Sequence, residues 1–296
     1  RVRIVGANEF NLDDITVELP YNRLSVVTGV SGSGKSTLCE KILYNGWKQQ
    51  QGEGGVDAGV FREIEGLEPF DEVVLMDQSA LGRSTRSNCL TYSGAYDSIR
   101  RIFSKTRQAK MAGLSVGDFS FNTPGGRCEN CEGTGTITVE MHFLADVEIP
   151  CDDCDGKRFN QQVLGATYRG KNIADIFDMT IDEAIDFFQD RDAITRKLRP
   201  LRDVGLGYLR AGQTTATLSG GEAQRLKLAS FIAEGKKRGD DEPVLFIFDE
   251  PTVGLHLFDV DTLVGALRKL LEHGHTVVAI EHDIDFIAQC DHILDL

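Results

Sequence analysis

The stretch Gly29-Val-Ser-Gly-Ser-Gly34-Lys35-Ser36-Thr37 decides the fold, because it fits G-x4-G-K-[ST] between a strand and a helix. The preceding residues 24–28 form a short apolar run with β-branched side chains, which predicts a buried strand. A helix is predicted from about Ser36 to Trp47. In this setting the glycines let backbone N–H groups converge on phosphate oxygens, and the helix N-terminus adds partial positive charge. The stretch therefore predicts a phosphate-binding loop.

Each polar residue of this loop has an expected task. Lys35 is expected to reach the β- and γ-phosphates of ATP, and the Ser36 hydroxyl is expected to ligate Mg²⁺. The rest of the loop is expected to surround the phosphates with backbone N–H groups and small side chains: Gly29, Ser31, Gly32, Ser33, Gly34 and Thr37.

Strands and helices alternate on both sides of a long interruption. Strands alternating with helices predict a parallel sheet covered on both faces. Between about residues 79 and 236 this alternation of strands and helices stops, and helical segments are predicted instead. One of them is Ile181–Gln189, for which Thr180 and Glu183 form a capping box. The predicted strands are Val73–Met76, Val244–Phe248, Thr276–Ile280 and one beginning at His292; the predicted helices are Val260–Glu272 and Asp283–Gln289.

Two carboxylates follow the apolar strand Val244–Phe248. The carboxyl end of a strand is where open α/β sheets bind their ligands. Asp249 is expected to hold Mg²⁺, directly or through water, and Glu250 is expected to polarise an attacking water as general base.

A second glycine-containing string, Leu218-Ser219-Gly220-Gly221-Glu222-Ala-Gln224-Arg225, opens a predicted helix. Ser219 and Glu222 have the spacing of a capping box. The two glycines leave backbone N–H groups uncovered, so the string predicts another anion site at a helix N-terminus.

The cysteines form a metal-binding pattern, Cys128-x2-Cys131-x19-Cys151-x2-Cys154. Four thiolates in two C-x2-C pairs predict a tetrahedral structural Zn²⁺ site with no open position, and therefore no catalysis there. The other three cysteines, Cys39, Cys89 and Cys290, are predicted to be small buried residues. With no signal peptide, paired cysteines favour metal binding over disulfides and predict a cytoplasmic protein.

These motifs, in this order, resemble the ABC-type ATPase family. The resemblance implies an α/β P-loop core with a parallel-rich sheet, interrupted by a large helical signature and insertion domain. It also implies that two such domains face each other, so that the signature of one closes the ATP site of the other. On this resemblance Gln78 is the Q-loop residue that senses Mg²⁺ and the γ-phosphate, His282 is the switch histidine, and 253–259 is the D-loop.

Further strings resemble the UvrA family of bacterial nucleotide-excision repair over the whole chain, as its C-terminal ATPase half. They include 82–88, Phe119-Ser-Phe-Asn122, the segments around both cysteine pairs, 139–144 and Asp178-Met-Thr180. The resemblance implies an ATPase, not itself the nuclease, that binds damaged duplex DNA, dimerises through its ATPase faces and loads UvrB, with no membrane partner.

This resemblance also implies domain boundaries, and it shows where the sequence departs from the pattern of the family. Residues 1–78 are expected to form the first part of the ATP-binding core, 79–236 the insertion and signature domain with a zinc module at about 119–160, and 237–296 the second part of the core. The first ATPase half and a glycine-rich tail do not occur in the sequence, so a fragment of a longer protein is expected. Cys89 stands where the family often carries Pro.

DNA contact must come from local basic patches, because the net charge is -14. The candidates lie in the insertion, and residues 100–110 are locally basic. They are Arg83, Arg86, Arg100, Arg101, Lys105, Arg107, Lys110, Arg127, Lys157 and Arg158. For any one of them, a solvated helix face is the alternative.

Three other functions remain open at this point. A membrane-transporter ATPase subunit is disfavoured by the cysteine module. A UvrA-like paralogue serving drug resistance would differ in binding damaged DNA. A non-enzymatic zinc-dependent DNA-binding module is disfavoured by the intact Lys35, Asp249, Glu250 and His282.

Overall fold

The computed structural model describes residues 1–79, 81, 86–139, 147–235, 242–255 and 257–296. The chain divides into two compact units. The core unit comprises Arg1–Ala80, Asp203–Gly205 and Ser219–Leu296, and the insertion unit comprises Leu81–Arg202 and Leu206–Leu218. The helix that carries the signature string therefore groups with the core unit, whereas the boundaries expected from the sequence put it in the insertion.

A five-stranded parallel sheet forms the centre of the core unit, in the order β10-β3-β9-β8-β5. Its central strands are buried along nearly their whole length, as expected for a sheet covered on both faces. The strands are β3 (Leu24–Thr28), β5 (Glu72–Met76), β8 (Val244–Asp249), β9 (Thr276–Ile280) and β10 (His292–Asp295).

A second, antiparallel sheet of three strands has the order β2-β1-β4 and was not predicted from the sequence. Its strands are β1 (Val2–Ala7), β2 (Ile15–Leu19) and β4 (Glu63–Glu65). Alternate residues such as Val2 and Ile4 are fully buried in the same apolar cluster as Val27 and Ile247 of the parallel sheet. This sheet thus joins the N-terminal residues to the hydrophobic core of the unit.

Among the described residues, the helical segments of the core unit are Thr37–Tyr44 with its continuation Asn45–Gln50, Gly220–Gly235, Leu257–Glu272 and Ile284–Ile287. The first follows the glycine-rich loop directly and buries Leu38, Ile42 and Leu43. Within the described part of the chain, no helix combines the length and the apolar character that a membrane crossing requires.

The insertion unit is built from short helices around an aromatic core. Phe103, Phe119, Phe121, Phe159 and Phe188 are almost completely buried. The helices are Cys89–Tyr92, Tyr96–Phe103, Arg107–Met111, Gln161–Leu164, Ile173–Asp178, Ile181–Phe187 and Asp192–Asp203, and the antiparallel strands β6 (Thr136–Val139) and β7 (Val147–Pro150) form a hairpin.

The elements predicted from hydrophobic patterning are present, with ends shifted by a few residues. The predicted helix Asp283–Gln289 is shorter, because Asp283 is its N-cap and only Ile284–Ile287 is helical. The predicted capping box is confirmed: the Glu183 N–H donates to Thr180 Oγ1, and the Thr180 N–H donates to Glu183 Oε2. Arg83 and His256, and most of 82–88 and 139–144, lie outside the described residues.

Candidate nucleotide site and cysteine cluster

The register of the parallel sheet brings the predicted catalytic segments to one edge. Val27 of β3 pairs with Ile280 of β9, and Ile280 pairs with Asp249 of β8. The phosphate loop, Glu281-His282 and Asp249-Glu250 each begin within two residues of that row. The sheet therefore places three sequence-distant motifs at the carboxyl ends of adjacent strands, where α/β sheets bind ligands.

The phosphate loop forms one wall of an open cavity of about 360 Å³. Lys35 Nζ donates to the carbonyl oxygens of Gly29 and Val30, both at 2.9 Å, so its ammonium lies over the loop. Gly34 has φ +107, where a side chain is strained, and a Cβ there would also press against Leu12. The cavity is lined by Phe10, Asn11, Ser31, Gly32, Gly34, Lys35, Ser36, Thr37, Glu250 and Ile280.

Two positions of the predicted loop are placed differently. Gly29 and Ser33 do not belong to the cavity lining among the described residues. The Ser33 hydroxyl is buried with no hydrogen-bond partner in the described part of the chain. A Cβ on Gly29 would meet the backbone carbonyl of Leu296, so this glycine is required where the loop passes close to the backbone after β10.

Glu250 and His282 lie side by side at the edge of the sheet. The His282 Nδ1 atom is 4.0 Å from Glu250 Oε1, and both side chains are substantially exposed. Glu250 has φ +46, an uncommon backbone conformation for a non-glycine residue, and its N–H donates to the Ile280 carbonyl at 2.9 Å. The structure therefore brings the expected general base and the expected switch histidine together.

Negative charge accumulates around Asp249. Burial raises the pKa of Asp249, and the carboxylates of Glu250, Asp77 and Glu281 raise it further. Burial and then the charges of Asp249 and Asp77 also raise the pKa of Glu40, one turn beyond the phosphate loop. A cation at this position would relieve the mutual repulsion of these carboxylates.

The signature string caps its helix as predicted. The Ser219 N–H donates to Glu222 Oε2 at 2.7 Å, and the Glu222 N–H donates to Ser219 Oγ at 3.3 Å. Its glycines also have a packing role: a Cβ on Gly220 would be 3.0 Å from the Gln78 Cβ, and one on Gly221 would collide with the Val253 carbonyl.

Within the described part of the chain, several predicted site residues do not line the phosphate-loop cavity. They are Ser219, Gly220, Gly221, Glu222, Gln78, Asp249 and His282. The string lies instead against Gln78 and Val253 of its own chain, the positions at which the resemblance puts the Q-loop residue and the start of the D-loop. The glycines are thus needed for close packing in addition to any anion contact.

Gln224 connects two strand ends of the core unit. Its buried amide donates to the Met76 carbonyl at 2.5 Å and to the Asp249 carbonyl at 2.9 Å. Three residues further on, Lys227 Nζ is 2.9 Å from Asp77 Oδ1 and 3.0 Å from Ser79 Oγ. These contacts fix the signature helix to the segment that contains Gln78, and they explain why this helix groups with the core unit.

Sequence reasoning missed the loop that faces the phosphate loop across the cavity. Phe10 is highly exposed, has φ +50 and contributes an aromatic wall to the cavity. Asn11 Nδ2 donates to the Gly32 carbonyl at 2.5 Å, and Lys41 Nζ lies 4.6 Å from the centre of the Phe10 ring. No motif signals these residues, because an isolated Phe-Asn pair in a loop has no pattern to detect.

The four motif cysteines converge on one point in the insertion unit. Their sulfur atoms all lie within 4.8 Å of one another, and all four side chains are buried. The Cys128 and Cys151 sulfurs are 3.9 Å apart, and those of Cys131 and Cys154 are 3.7 Å apart. Four thiolates at about 2.3 Å from a tetrahedral zinc ion lie about 3.8 Å apart. The geometry therefore fits the predicted ion.

Backbone hydrogen bonds shape both cysteine turns in the same way. The Gly133 N–H donates to the Cys128 carbonyl, and the Gly156 N–H donates to the Cys151 carbonyl. The Gly135 N–H points at Cys131 Sγ at 3.3 Å. Although burial opposes it, such N–H donors hold the pKa of Cys131 below its usual range. Donors of this kind stabilise thiolate, the form that binds a metal.

The basic candidates of the insertion unit differ in their surroundings. Arg101 lies on the helix Tyr96–Phe103, Arg107 and Lys110 lie on the next helix, and Lys105 lies in the turn between them. All four are exposed, and none of them has an ion pair within the described residues. Arg86, Arg100, Arg127 and Lys157 pair with neighbouring acids.

Arg158 differs from the other basic candidates in that its guanidinium lies against aromatic rings. Its guanidinium lies 5.6 Å from the centre of the Phe121 ring and 5.5 Å from that of Phe177, so it is part of the aromatic core. We therefore remove it from the residues expected to contact phosphates.

Comparison with known proteins agrees with the site. No family model matches the chain. The UvrABC system protein A of Staphylococcus epidermidis and that of Staphylococcus aureus are each 50% identical to it over 296 residues, all of this chain and 31% of their own length. The chain thus spans about a third of the length of these curated relatives.

A solved structure gives the same result. The crystal structure of UvrA2 from Deinococcus radiodurans is 45% identical and superposes with a TM-score of 0.85, covering 99% of this chain and 35% of that one. The chain therefore belongs over its whole length to the UvrA family and has the ABC-type P-loop ATPase fold.

Proposed function

We propose that the chain binds and hydrolyses ATP with Mg²⁺ and couples hydrolysis to the recognition of damaged DNA in nucleotide-excision repair. The observation that carries the proposal is the cavity that the phosphate loop and Glu250 both line. A loop of backbone N–H groups at a helix N-terminus binds phosphate, and a carboxylate across from it can accept a proton from water.

The residues of the cavity have distinct tasks in this proposal. Lys35 exchanges its contacts with the Gly29 and Val30 carbonyls for phosphate oxygens. Glu250 orients and deprotonates the attacking water, and His282, 4.0 Å away, contacts the γ-phosphate side of the site. Phe10 offers its exposed ring to the adenine base, since aromatic faces stack on planar ligands.

The donors at the sheet edge suit Mg²⁺. The Ser36 hydroxyl, the Asp249 carboxylate and the Gln78 amide supply oxygen ligands, which this hard cation prefers. Burial raises the pKa of Asp249, and the charges of Glu250, Asp77 and Glu281 raise it further, so a cation beside Asp249 would favour its ionised form. When bound, Mg²⁺ would neutralise part of the charge of the phosphates.

For the cysteine cluster we propose one structural Zn²⁺. Cys128, Cys131, Cys151 and Cys154 would supply all four ligands, which leaves no position for a substrate. The ion would contribute folding energy to the turns of the insertion unit.

The proposed partners follow from the UvrA relatives. They are damaged duplex DNA, contacted through the exposed Arg101, Lys105, Arg107 and Lys110; a second copy, through the ATPase faces; and UvrB, which would receive the lesion. We also propose the cytoplasm as the compartment, because a four-thiolate site requires reducing surroundings.

Glu250→Gln tests the proposed hydrolysis. The amide cannot act as a base, so nucleotide binding should persist within about 3-fold while kcat falls by about 100-fold or more, as for the loss of a general base. The measurement is ATP turnover together with binding of a fluorescent ATP analogue. The matched control is Glu63→Gln on an exposed position of β4. Normal turnover by Glu250→Gln would show that another residue is the base.

A further inference from the structure

Glu281 is a fully buried carboxylate for which the proposed function has no task. It follows β9 directly and precedes His282, and none of its surface is exposed. An acidic side chain in such a place costs free energy unless hydrogen bonds compensate it. The contacts of Glu281 therefore indicate why an acid occupies this position.

The two carboxylate oxygens divide between two segments. Oε1 accepts from the Thr252 N–H at 2.8 Å and from the Thr252 hydroxyl at 2.5 Å. Oε2 accepts from the N–H groups of His282, at 2.8 Å, and Asp283, at 3.1 Å. Each oxygen accepts two bonds, and every partner is a donor.

Each of these segments carries one residue of the proposed hydrolytic pair. Thr252 closes the turn that begins at Glu250, whose φ of +46 must be held by contacts outside the turn. The same carboxylate holds the backbone of His282, whose ring lies 3.9 Å from Glu281 Oε2 and 4.0 Å from Glu250 Oε1. The backbone N–H of Glu281 donates to Val27 of β3, the strand that leads to the phosphate loop.

We propose that Glu281 is a positioning residue that fixes Glu250 and His282 relative to each other and to the phosphate loop. The proposal rests on the proposed ATPase function. Within the described residues Glu281 does not line the cavity, and it acts through the neighbouring Glu250 and His282. Only a carboxylate can serve all four donors, because an amide turns an N–H₂ group against two of them.

Glu281→Gln tests this proposal at nearly constant side-chain volume. We expect kcat for ATP to fall about 10- to 100-fold, the range for disturbing a hydrogen bond to a charged group, while KM and the affinity for an ATP analogue change by less than about 3-fold. Glu63→Gln, on the exposed face of β4, controls for the change of an acid to an amide.

Thr252 offers a milder test from the opposite side of the contact, useful if Glu281→Gln fails to fold. Thr252→Val removes one donor to Glu281 and should lower kcat several-fold, whereas Thr252→Ser keeps that donor and should be the faster of the two. Equal kcat values for the two variants would contradict the proposal.

A double variant separates positioning from general stability. If Glu281 acts through Glu250 and His282, then the fold decrease in kcat caused by Glu281→Gln should be smaller in the Glu250→Gln variant than in the parent, because part of its target is already lost. An equal fold decrease in both backgrounds, or a Glu281→Gln protein with lowered Tm and unchanged kcat, would overturn the positioning role. Normal turnover by Glu250→Gln alone would instead overturn the proposed base, so the two failures are distinguishable.

Discussion

The cysteine cluster and the nucleotide cavity are built in opposite ways. All four sulfur atoms come from 27 consecutive residues, Cys128–Cys154, and local backbone turns aim them at one point. The nucleotide cavity draws on the loop before Thr37 and on Glu250, which the parallel sheet brings together, and on Phe10, which lies between β1 and β2 of the antiparallel sheet. The first is a local and closed site, and the second is a dispersed and open one.

Because of this difference, the two sites depend on different parts of the chain, and different substitutions should damage them. The cysteine cluster takes its four buried ligands from one short segment, and the backbone N–H of Cys128 donates to the Arg158 carbonyl just beyond that segment. The open cavity depends on the register of β3, β8 and β9, on buried connections such as Gln224 and Glu281, and, by the family resemblance, on a second ATPase domain. The two sites should therefore fail independently.

The largest expected effect is that of Lys35→Ala on the dispersed site. Removing the ammonium from the phosphate loop should weaken ATP binding by about 100-fold or more, because charge-assisted bonds to phosphate are lost. Hydrolysis should disappear, while zinc content stays at about one ion per chain. ATP-analogue titration, turnover and metal analysis measure the three quantities.

Lys48→Ala is the matched control for this change, since Lys48 lies on the continuation of the same helix and pairs with Glu53. Its ATP affinity should stay within about 2-fold of the parent, as for an exposed ion pair. A Lys35→Ala protein that binds ATP as tightly as its parent would remove Lys35 from the site.

The next effect is that of Cys151→Ser on the local site. Losing one of four thiolate ligands should reduce bound zinc below about 0.1 per chain after dialysis against a weak chelator, because the tetrahedral set is broken. DNA binding should weaken before ATP binding does, since the cluster lies in the insertion unit. Metal analysis and parallel DNA and nucleotide titrations provide the measurement.

Cys290→Ser is the control, because Cys290 lies in the core unit outside the cluster. It should keep its zinc. Full zinc content in Cys151→Ser protein purified without chelator would contradict the metal assignment, and loss of ATP binding in parallel with zinc would contradict the independence of the two sites.

The smallest expected effect is that of protein concentration on ATPase activity. It should change the activity of the nucleotide cavity and leave the cysteine cluster unaffected. In the arrangement implied by the resemblance, Ser219–Glu222 of one domain completes the ATP site of another. ATPase activity per molecule should then fall up to about 10-fold for a tenfold dilution below the dimer dissociation constant, by mass action. Zinc content should not change. Turnover across a dilution series, with sedimentation with and without ATP, tests this.

Ser219→Arg sharpens the dilution experiment by placing bulk and charge at the signature, so it should suppress turnover. Mixing it with Lys35→Ala should restore at most one working site per mixed dimer. Activity per molecule that remains constant where sedimentation shows monomers would mean that a single chain hydrolyses ATP alone.

Local patterns were the part of this protein that the sequence predicted well. The capping boxes at Thr180 and Ser219 require only residues three positions apart, and both sets of hydrogen bonds are present. The C-x2-C spacing likewise predicts a turn at each cysteine pair, and backbone hydrogen bonds close both turns. The buried strands were recognisable because a strand covered on both faces is apolar throughout.

Other features could not be predicted from the sequence, because they depend on which residues a side chain packs against and not on the side chain itself. The alternating pattern of β1 and β2 is weak, and its meaning depends on the apolar cluster against which those strands pack. Arg158 looks like a basic surface residue until Phe121 and Phe177 enclose it.

The sequence by itself determined the chemistry: a phosphate loop, an acidic strand end, a signature helix and four cysteine ligands, each encoded within a short segment. The tertiary structure alone decided the geometry. It joined Thr252 to Glu281 and Met76 to Gln224, pairs separated by 29 and 148 residues, and so fixed Glu250 beside His282. The physical reason is that such contacts follow from sheet register and burial, which depend on the packing of the whole unit and leave no periodic trace in the sequence.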